Sequence, residues 1–212
     1  VTDRSSTRNQ ILSLLKMEAP LTVNKLARRL EITEMAVRRH LNTLERDSLV
    51  RSELLRQSMG RPTNQYYLSK QSEDLFPKSY HAFTLDLLKD IEKNEGKKQI
   101  DQLFERRCQR MTETYQESFQ GKPLDEQVRT LAELQDQKGY MATWKRLDDQ
   151  RYELVEHNCP IAEVAQCFQQ ACSCELSWFR RLLDADVERV ECLAKGALKC
   201  TYRIEETEGA GS

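Results

Sequence analysis

No stretch of the 212 residues stays apolar long enough to span a bilayer. The opening VTDRSSTRNQILSLLK lacks the basic-then-apolar layout of a secretory signal. These two absences make the cytoplasm the expected location and leave no membrane partner to expect. A reducing compartment disfavours stable disulfides, and an odd total of seven cysteines does not close into a pairwise framework. The C-x-x-C pairs common in structural zinc sites are missing as well.

Charged residues make up 32% of the chain and the hydrophobic class 39%, a balance that fits a soluble, helix-rich protein with one or two cores. The net charge of −1 hides an asymmetry. Residues 1–70 carry thirteen Lys/Arg against seven Asp/Glu, and the remainder carries twenty against twenty-seven. A basic first third on an acidic body is the footprint of a nucleic-acid-binding head on a regulatory or oligomerising body.

The first third divides cleanly. Ile11, Leu14 and Leu15 share one face of a first helix, and Pro20 blocks its continuation. Thr22 is placed to cap a second helix, in which Val23, Leu26, Ala27 and Leu30 recur at i, i+3, i+4 and i+7. After the short turn EIT, Thr33 is the next cap, and Val37, Leu41 and Leu44 give a third helix its buried stripe. Two short helices joined by a tight turn match a helix-turn-helix, whose second member enters the major groove. Stepping 100° per residue from the stripe points Met35, Arg38, Arg39, Asn42 and Arg46 outward, with Thr33 and Thr43 beside them. Arg and Asn are the side chains that bond bidentately to guanine and adenine edges. His40 falls nearer the buried side and reads as a packed residue.

LVRSELLRQSMGRPTNQYYLS then reads as strand, Gly-Pro turn, strand: a wing. Val50, Ser52 and Leu54 alternate with Arg51 and Glu53, and Tyr66 and Leu68 supply the return strand. Arg56 and Arg61 flank the tip, where phosphates or a minor groove would lie.

From residue 78 to 137 the composition is helical. Phe83, Leu87 and Ile91 form one stripe, Ile100, Leu103, Phe104, Met111 and Tyr115 a second that includes Cys108, and Leu124, Val128, Leu131 and Leu134 a third. Helix-turn-helix heads commonly bind two-fold sites as dimers, so these helices are expected to pair two chains.

The last third is α+β and holds six of the seven cysteines. Cys192 and Cys200 are equidistant from Gly196, so a hairpin centred there brings them face to face, with Cβ atoms about 4.5–5.5 Å apart. On a continuous helix Cys172 faces inward, between Phe168 and Phe179, while Cys167 and Cys174 fall at the margin. Cys159 follows a strand and precedes Pro160, at a loop end. The best single-site set is therefore Cys159, Cys172 and Cys200, with Cys192 the fourth candidate. Thiolates are soft ligands that select zinc, copper(I) or iron–sulfur clusters. An enzyme, with Cys159 as nucleophile and His157 nearby, is not expected.

AVRRHLNTLERDSLV…GRPTNQYYLS, LFPKSYHAFTLDLL and the tail EHNCPIAEVAQCFQQACSCE…VERVECLAKGALKCTYRI resemble the SufR-type repressors of bacterial iron–sulfur cluster biogenesis, especially the cyanobacterial ones. The most specific element is the C-x12-C-x27-C spacing that ends in CTYRI. The resemblance implies a homodimer with one [4Fe–4S] cluster per subunit, bound to operator DNA when loaded and repressing cluster-assembly genes. It places the three family cysteines on Cys159, Cys172 and Cys200. Cys192 is the expected fourth ligand and His157 the runner-up, with Glu175 or an external ligand further alternatives. The competing expectation is a zinc- or thiol-redox-sensing winged-helix repressor without a cluster. The expected architecture is mostly α with an α+β C-terminal domain: a winged helix-turn-helix over 1–77, dimerisation helices over 78–137 and a cysteine-containing sensor domain over 138–212.

Overall fold

The computed structural model describes residues 6–56, 62–183 and 185–207. The chain divides into two compact units, with the boundary between Lys78 and Ser79.

The first unit is built on three helices and a small sheet: α1 (Thr7–Glu18), β1 (Leu21–Thr22), α2 (Val23–Leu30), α3 (Glu34–Arg46), β2 (Val50–Leu55) and β3 (Thr63–Leu68), then a 3₁₀ turn at Lys70–Leu75. Each of the first three helices starts on a hydroxyl cap. Ser6 accepts from the Asn9 N–H, Thr22 from Lys25 and Thr33 from Ala36, each satisfying a donor the helix cannot use internally. Between α2 and α3, Glu31 adopts φ 56°, the left-handed conformation that reverses the chain in so few residues. Ile11, Leu15, Leu26, Val37, Leu41 and Leu44 fill the core. The sheet is antiparallel in the order β1-β3-β2, with Leu21 opposite Tyr66 and Val50 opposite Leu68. Leu54, expected on the inward side of β2, is exposed, because by that point the wing has run past the core.

The second unit comprises α4 (Tyr80–Glu95), α5 (Lys97–Tyr115), α6 (Leu124–Gln137), β4 (Ala142–Arg146), β5 (Arg151–Glu156), α7 (Ala162–Cys167), α8 (Gln170–Leu182), β6 (Ala185–Glu191) and β7 (Cys200–Glu206). Its sheet is antiparallel in the order β4-β5-β7-β6. The expected division at 137/138 does not separate two cores. Cys108 of α5 and Val128 and Leu131 of α6 lie in one apolar cluster with Leu154, Trp178, Phe179, Tyr202 and Ile204. The apolar stripes of α5 and α6 are thus spent on the sheet and on α8, within the chain. α4 differs: it buries no residue, and Tyr80, Phe83 and Leu87 are exposed. No helix of the described residues is long and apolar enough to cross a membrane.

α8 lies between α5 and the sheet edge at β6. Gln170 donates to Asp101 (2.8 Å) and Arg181 to Glu105 (2.6 Å), tying it to α5. A helix covered on two sides has a wide buried face. Cys174, expected at the margin, is therefore buried: it faces α5, where the Arg107 guanidinium approaches its sulfur at 3.6 Å. Cys167 is exposed at the end of α7.

Candidate nucleic-acid interface and thiol site

α3 presents one polar face to solvent. Met35, Arg38, Arg39, Asn42 and Arg46 are exposed, and Thr33, Met35, Arg38, Arg39 and Asn42 share one shallow hollow. Their freedom differs. Arg38 leans on Glu34 at 3.5 Å and Arg46 sits 3.9 Å from Asp47. Two hydroxyls are committed to the helix itself: Thr33 is the N-cap acceptor, and Thr43 donates to the Arg39 carbonyl at 3.1 Å. Arg39 and Asn42 make no side-chain hydrogen bond or ion pair among the described residues, so nothing has to break before they meet a base edge. Asn24 of α2 donates to Glu34 of α3 at 2.9 Å, which helps fix the angle between the two helices. Residue periodicity did not reveal that contact. Arg56 is exposed just beyond β2; Arg61 lies outside the described residues. His40 is half-buried, a packed residue.

The second site lies where β5, α8 and the β6–β7 connection meet. Cys192 follows β6 directly, Cys200 opens β7, Cys172 comes from the first turn of α8 and Cys159 from the loop after β5. The Cys192 and Cys172 sulfurs are 4.0 Å apart. The Leu193 N–H donates to the Cys200 sulfur at 3.3 Å. Cys192 also interacts electrostatically with Cys159 and with Cys200, so three thiols converge on the fourth. The ladder helps explain this. Glu191 pairs with Thr201, in register with a turn at Gly196, after a bulge between Arg189 and Glu191. Cys192 and Cys200 thus sit at the hairpin's turn end, though Cys192 is outside the strand and the two are not a ladder pair. His157, one residue past β5, is exposed.

Burial holds the thiols neutral. It pushes Cys159 up to about 11 and both Cys172 and Cys200 up to about 12. Opposing this, the Leu193 N–H favours the Cys200 thiolate and the Arg189 charge favours that of Cys172. Arg189 also donates to the Cys172 carbonyl at 2.8 Å, which places a half-buried cation beside the sulfurs. Cysteine spacing gives no hint of it; the signal is the strand register that sets Arg189 opposite Tyr202.

Below the thiols lies a buried carboxylate pair. Glu156 ends β5 opposite Cys200, and Glu175 is on α8, one turn beyond Cys172. Gln135 donates to Glu156 at 2.6 Å and to Glu175 at 3.4 Å, and the Tyr202 hydroxyl donates to Glu175 at 2.8 Å. Burial raises both carboxyls, and for Glu156 the Glu175 charge adds to it.

The donor set is chemically suited to a soft metal centre: four cysteine sulfurs, drawn from a loop, a helix and a hairpin, with a cation alongside. Among the described residues no three His, Cys, Asp or Glu side chains are already spaced to hold one metal ion. The thiols converge without being preset around a single ion.

Residues 5–52 match the model of the bacterial regulatory protein, arsR family. The first unit therefore carries an ArsR-family winged-helix DNA-binding regulator domain. No curated protein matches the sequence. Among solved structures, a mutant of Lactococcus lactis ZitR is 23% identical, with 55% of this chain and 80% of that one covered and a TM-score of 0.29. Bacillus subtilis PadR in complex with operator DNA is 9% identical, with 82% and 94% covered and a TM-score of 0.30. Neither likeness reaches the level at which a shared overall fold can be argued.

Proposed function

We propose that the chain is a cytoplasmic, homodimeric transcriptional repressor of iron–sulfur cluster assembly genes that senses cluster status through a bound [4Fe–4S] cluster. The observation that carries this reading is the convergence of Cys159, Cys172 and Cys200 on Cys192, while Cys108, Cys167 and Cys174 lie elsewhere. Cys159, Cys172, Cys200 and Cys192 would hold the group; bound there, it would supply redox lability and a tie between segments far apart in sequence. The rest is the work of the chain. Each thiol must give up a proton before it can bind iron, and at Cys159, Cys172 and Cys200 burial opposes that loss. Arg189 and the Leu193 N–H favour the thiolates. The head supplies affinity through its arginines, and two heads in one dimer supply half-site spacing. The exposed stripe Tyr80, Phe83 and Leu87 of α4 is the helical surface left for pairing, spaced at i, i+3 and i+7.

The test is anaerobic purification of the full chain, followed by iron and sulfide analysis, a visible spectrum and operator binding at fixed salt. About four irons and four sulfides per chain are expected, with that content lost in Cys172→Ser and Cys192→Ser and kept in Cys167→Ser. Equal operator affinity of loaded and iron-free protein would refute the sensing role.

One observation favours a second reading. The 4.0 Å contact between Cys172 and Cys192 also suits a thiol pair that oxidises to a disulfide, which needs the sulfurs to close to about 2.0 Å. A colourless, iron-free protein whose DNA affinity follows that bond would select the thiol-redox sensor.

A further inference from the structure

The second unit carries a cavity of about 490 Å³ that none of the four converging cysteines lines. Its size falls within the range of small-ligand pockets. Arg107 and Arg110 of α5 and Lys138, just past α6, supply three cations to its wall, and no carboxylate lines it. None of the three makes an ion pair among the described residues. Arg107 and Arg110 are three residues apart, so they share one face of α5 with Met111. Met111, Tyr115 and Ile161 add apolar surface.

Two of the cations are held in place, Arg107 beside the Cys174 sulfur at 3.6 Å and Lys138 by two rings. The Lys138 ammonium stands 4.3 Å from the Tyr115 ring centre and 4.2 Å from that of Trp178, which fixes it by cation–π contact. Burial first, and then the Arg107 charge, lowers it to about 8, with the Glu175 charge opposing, so an anion beside it favours its charged form. At the inner wall Gln135 is buried. Its Nε2 is committed to Glu156 and Glu175, and its Oε1 accepts no hydrogen bond within the protein.

We infer that this cavity is a binding site for a small organic anion with an apolar body. The anionic group meets Arg107, Arg110 and Lys138, and the body lies against Met111, Tyr115 and Ile161. The inference stands on the cavity alone and is independent of the cluster-sensing reading.

The experiment is calorimetric titration of the full-length protein with three probes: salicylate, which has the anion, ring and hydroxyl; salicylamide, its uncharged counterpart; and inorganic phosphate, an anion without the apolar body. Salicylate is expected to bind once per chain, at least about tenfold tighter than either of the others. Arg110→Gln and Lys138→Gln should each weaken it by about tenfold. Arg110 is exposed and without a structural partner, so its variant keeps the test clean should Lys138→Gln fold poorly. Salicylamide binding as tightly as salicylate, no saturable binding, or unchanged affinity in Arg110→Gln would overturn the assignment. Iron content separates the two readings: an iron-free protein that binds salicylate loses the cluster and keeps this site, and the opposite pattern does the reverse.

Discussion

Replacing Glu156 with glutamine should change how stability depends on pH, in a direction the buried carboxylate pair dictates. Glu156 and Glu175 share the Gln135 amide and lie in a site closed to solvent. Burial, and then the Glu175 charge, raises Glu156 well above the 4.5 of a free carboxyl. The unfolded chain releases that proton near 4.5, whereas the folded chain keeps it to higher pH. Above 4.5 the folded state therefore binds more protons than the unfolded one. The stabilisation is complete below 4.5 and is lost as pH rises toward the folded value. Each pH unit in that window removes about 1.4 kcal/mol. Glu156→Gln keeps the acceptor for Gln135 and removes the titration. Near pH 4 the variant should match the wild type to within about 1 kcal/mol, and as pH rises through the window it should become the more stable of the two. Iron-free protein is the right sample, because Cys159, at about 11, and Cys172 and Cys200, at about 12, do not titrate in the window. Urea denaturation across pH 4 to 7 gives both curves. Parallel curves would show that Glu156 ionises normally in the folded protein, and the reasoning about the pair would fall.

Other substitutions test the head and the pairing surface. Arg39→Ala should cost operator DNA about 1–3 kcal/mol if the side chain reads a base, whereas Arg56→Ala should lower the slope of log affinity against log salt by about 1, as expected for a phosphate contact; fluorescence anisotropy at several salt concentrations measures both. Leu41→Ala empties a fully buried position in the first unit and should destabilise it by about 2–5 kcal/mol in urea denaturation. Phe83→Glu, on the exposed face of α4, should convert a dimer to monomer by sedimentation while leaving the far-ultraviolet spectrum unchanged, and a dimer that survives it would remove α4 from the interface.

The head was legible because its signals are short-range. Thr22 and Thr33 cap their helices as their positions predicted, and the Val37, Leu41, Leu44 stripe is buried at the predicted spacing. Caps and 3.6-residue stripes act within one turn, so sequence alone carries them. Leu54 shows the limit of the same logic. Alternation says which residues share a face of a strand, but not how far the core extends beneath it.

The second unit was less legible, for a related reason. A stripe announces that a helix face will be covered, and it does not name the cover. The stripes of α5 and α6 read as equally suited to a partner chain, yet they close on the sheet and on α8, leaving α4 with an uncovered one. Cys174 read as marginal because one helix face was assumed to meet one neighbour, whereas α8 is packed on two sides.

Glu156 and Glu175 were harder still, since a carboxylate in a sequence reads as solvent-facing until its partners are known. Gln135, Tyr140, Tyr202 and Arg189 arrive from separate segments to offset that burial. That arrangement bears directly on the thiols above. A site whose burial disfavours the charged forms of the carboxyls Glu156 and Glu175 and of the thiols Cys159, Cys172 and Cys200 resists gathering negative charge. Taking up a cation means releasing protons from groups whose surroundings resist the loss, with Arg189 as the nearby charge that eases it. Removing that charge by Arg189→Gln should therefore weaken iron retention most at low pH, where the thiols are hardest to deprotonate. An iron content that falls equally at pH 6 and pH 9 would assign Arg189 to folding, through its bond to the Cys172 carbonyl, and not to the chemistry of the sulfurs.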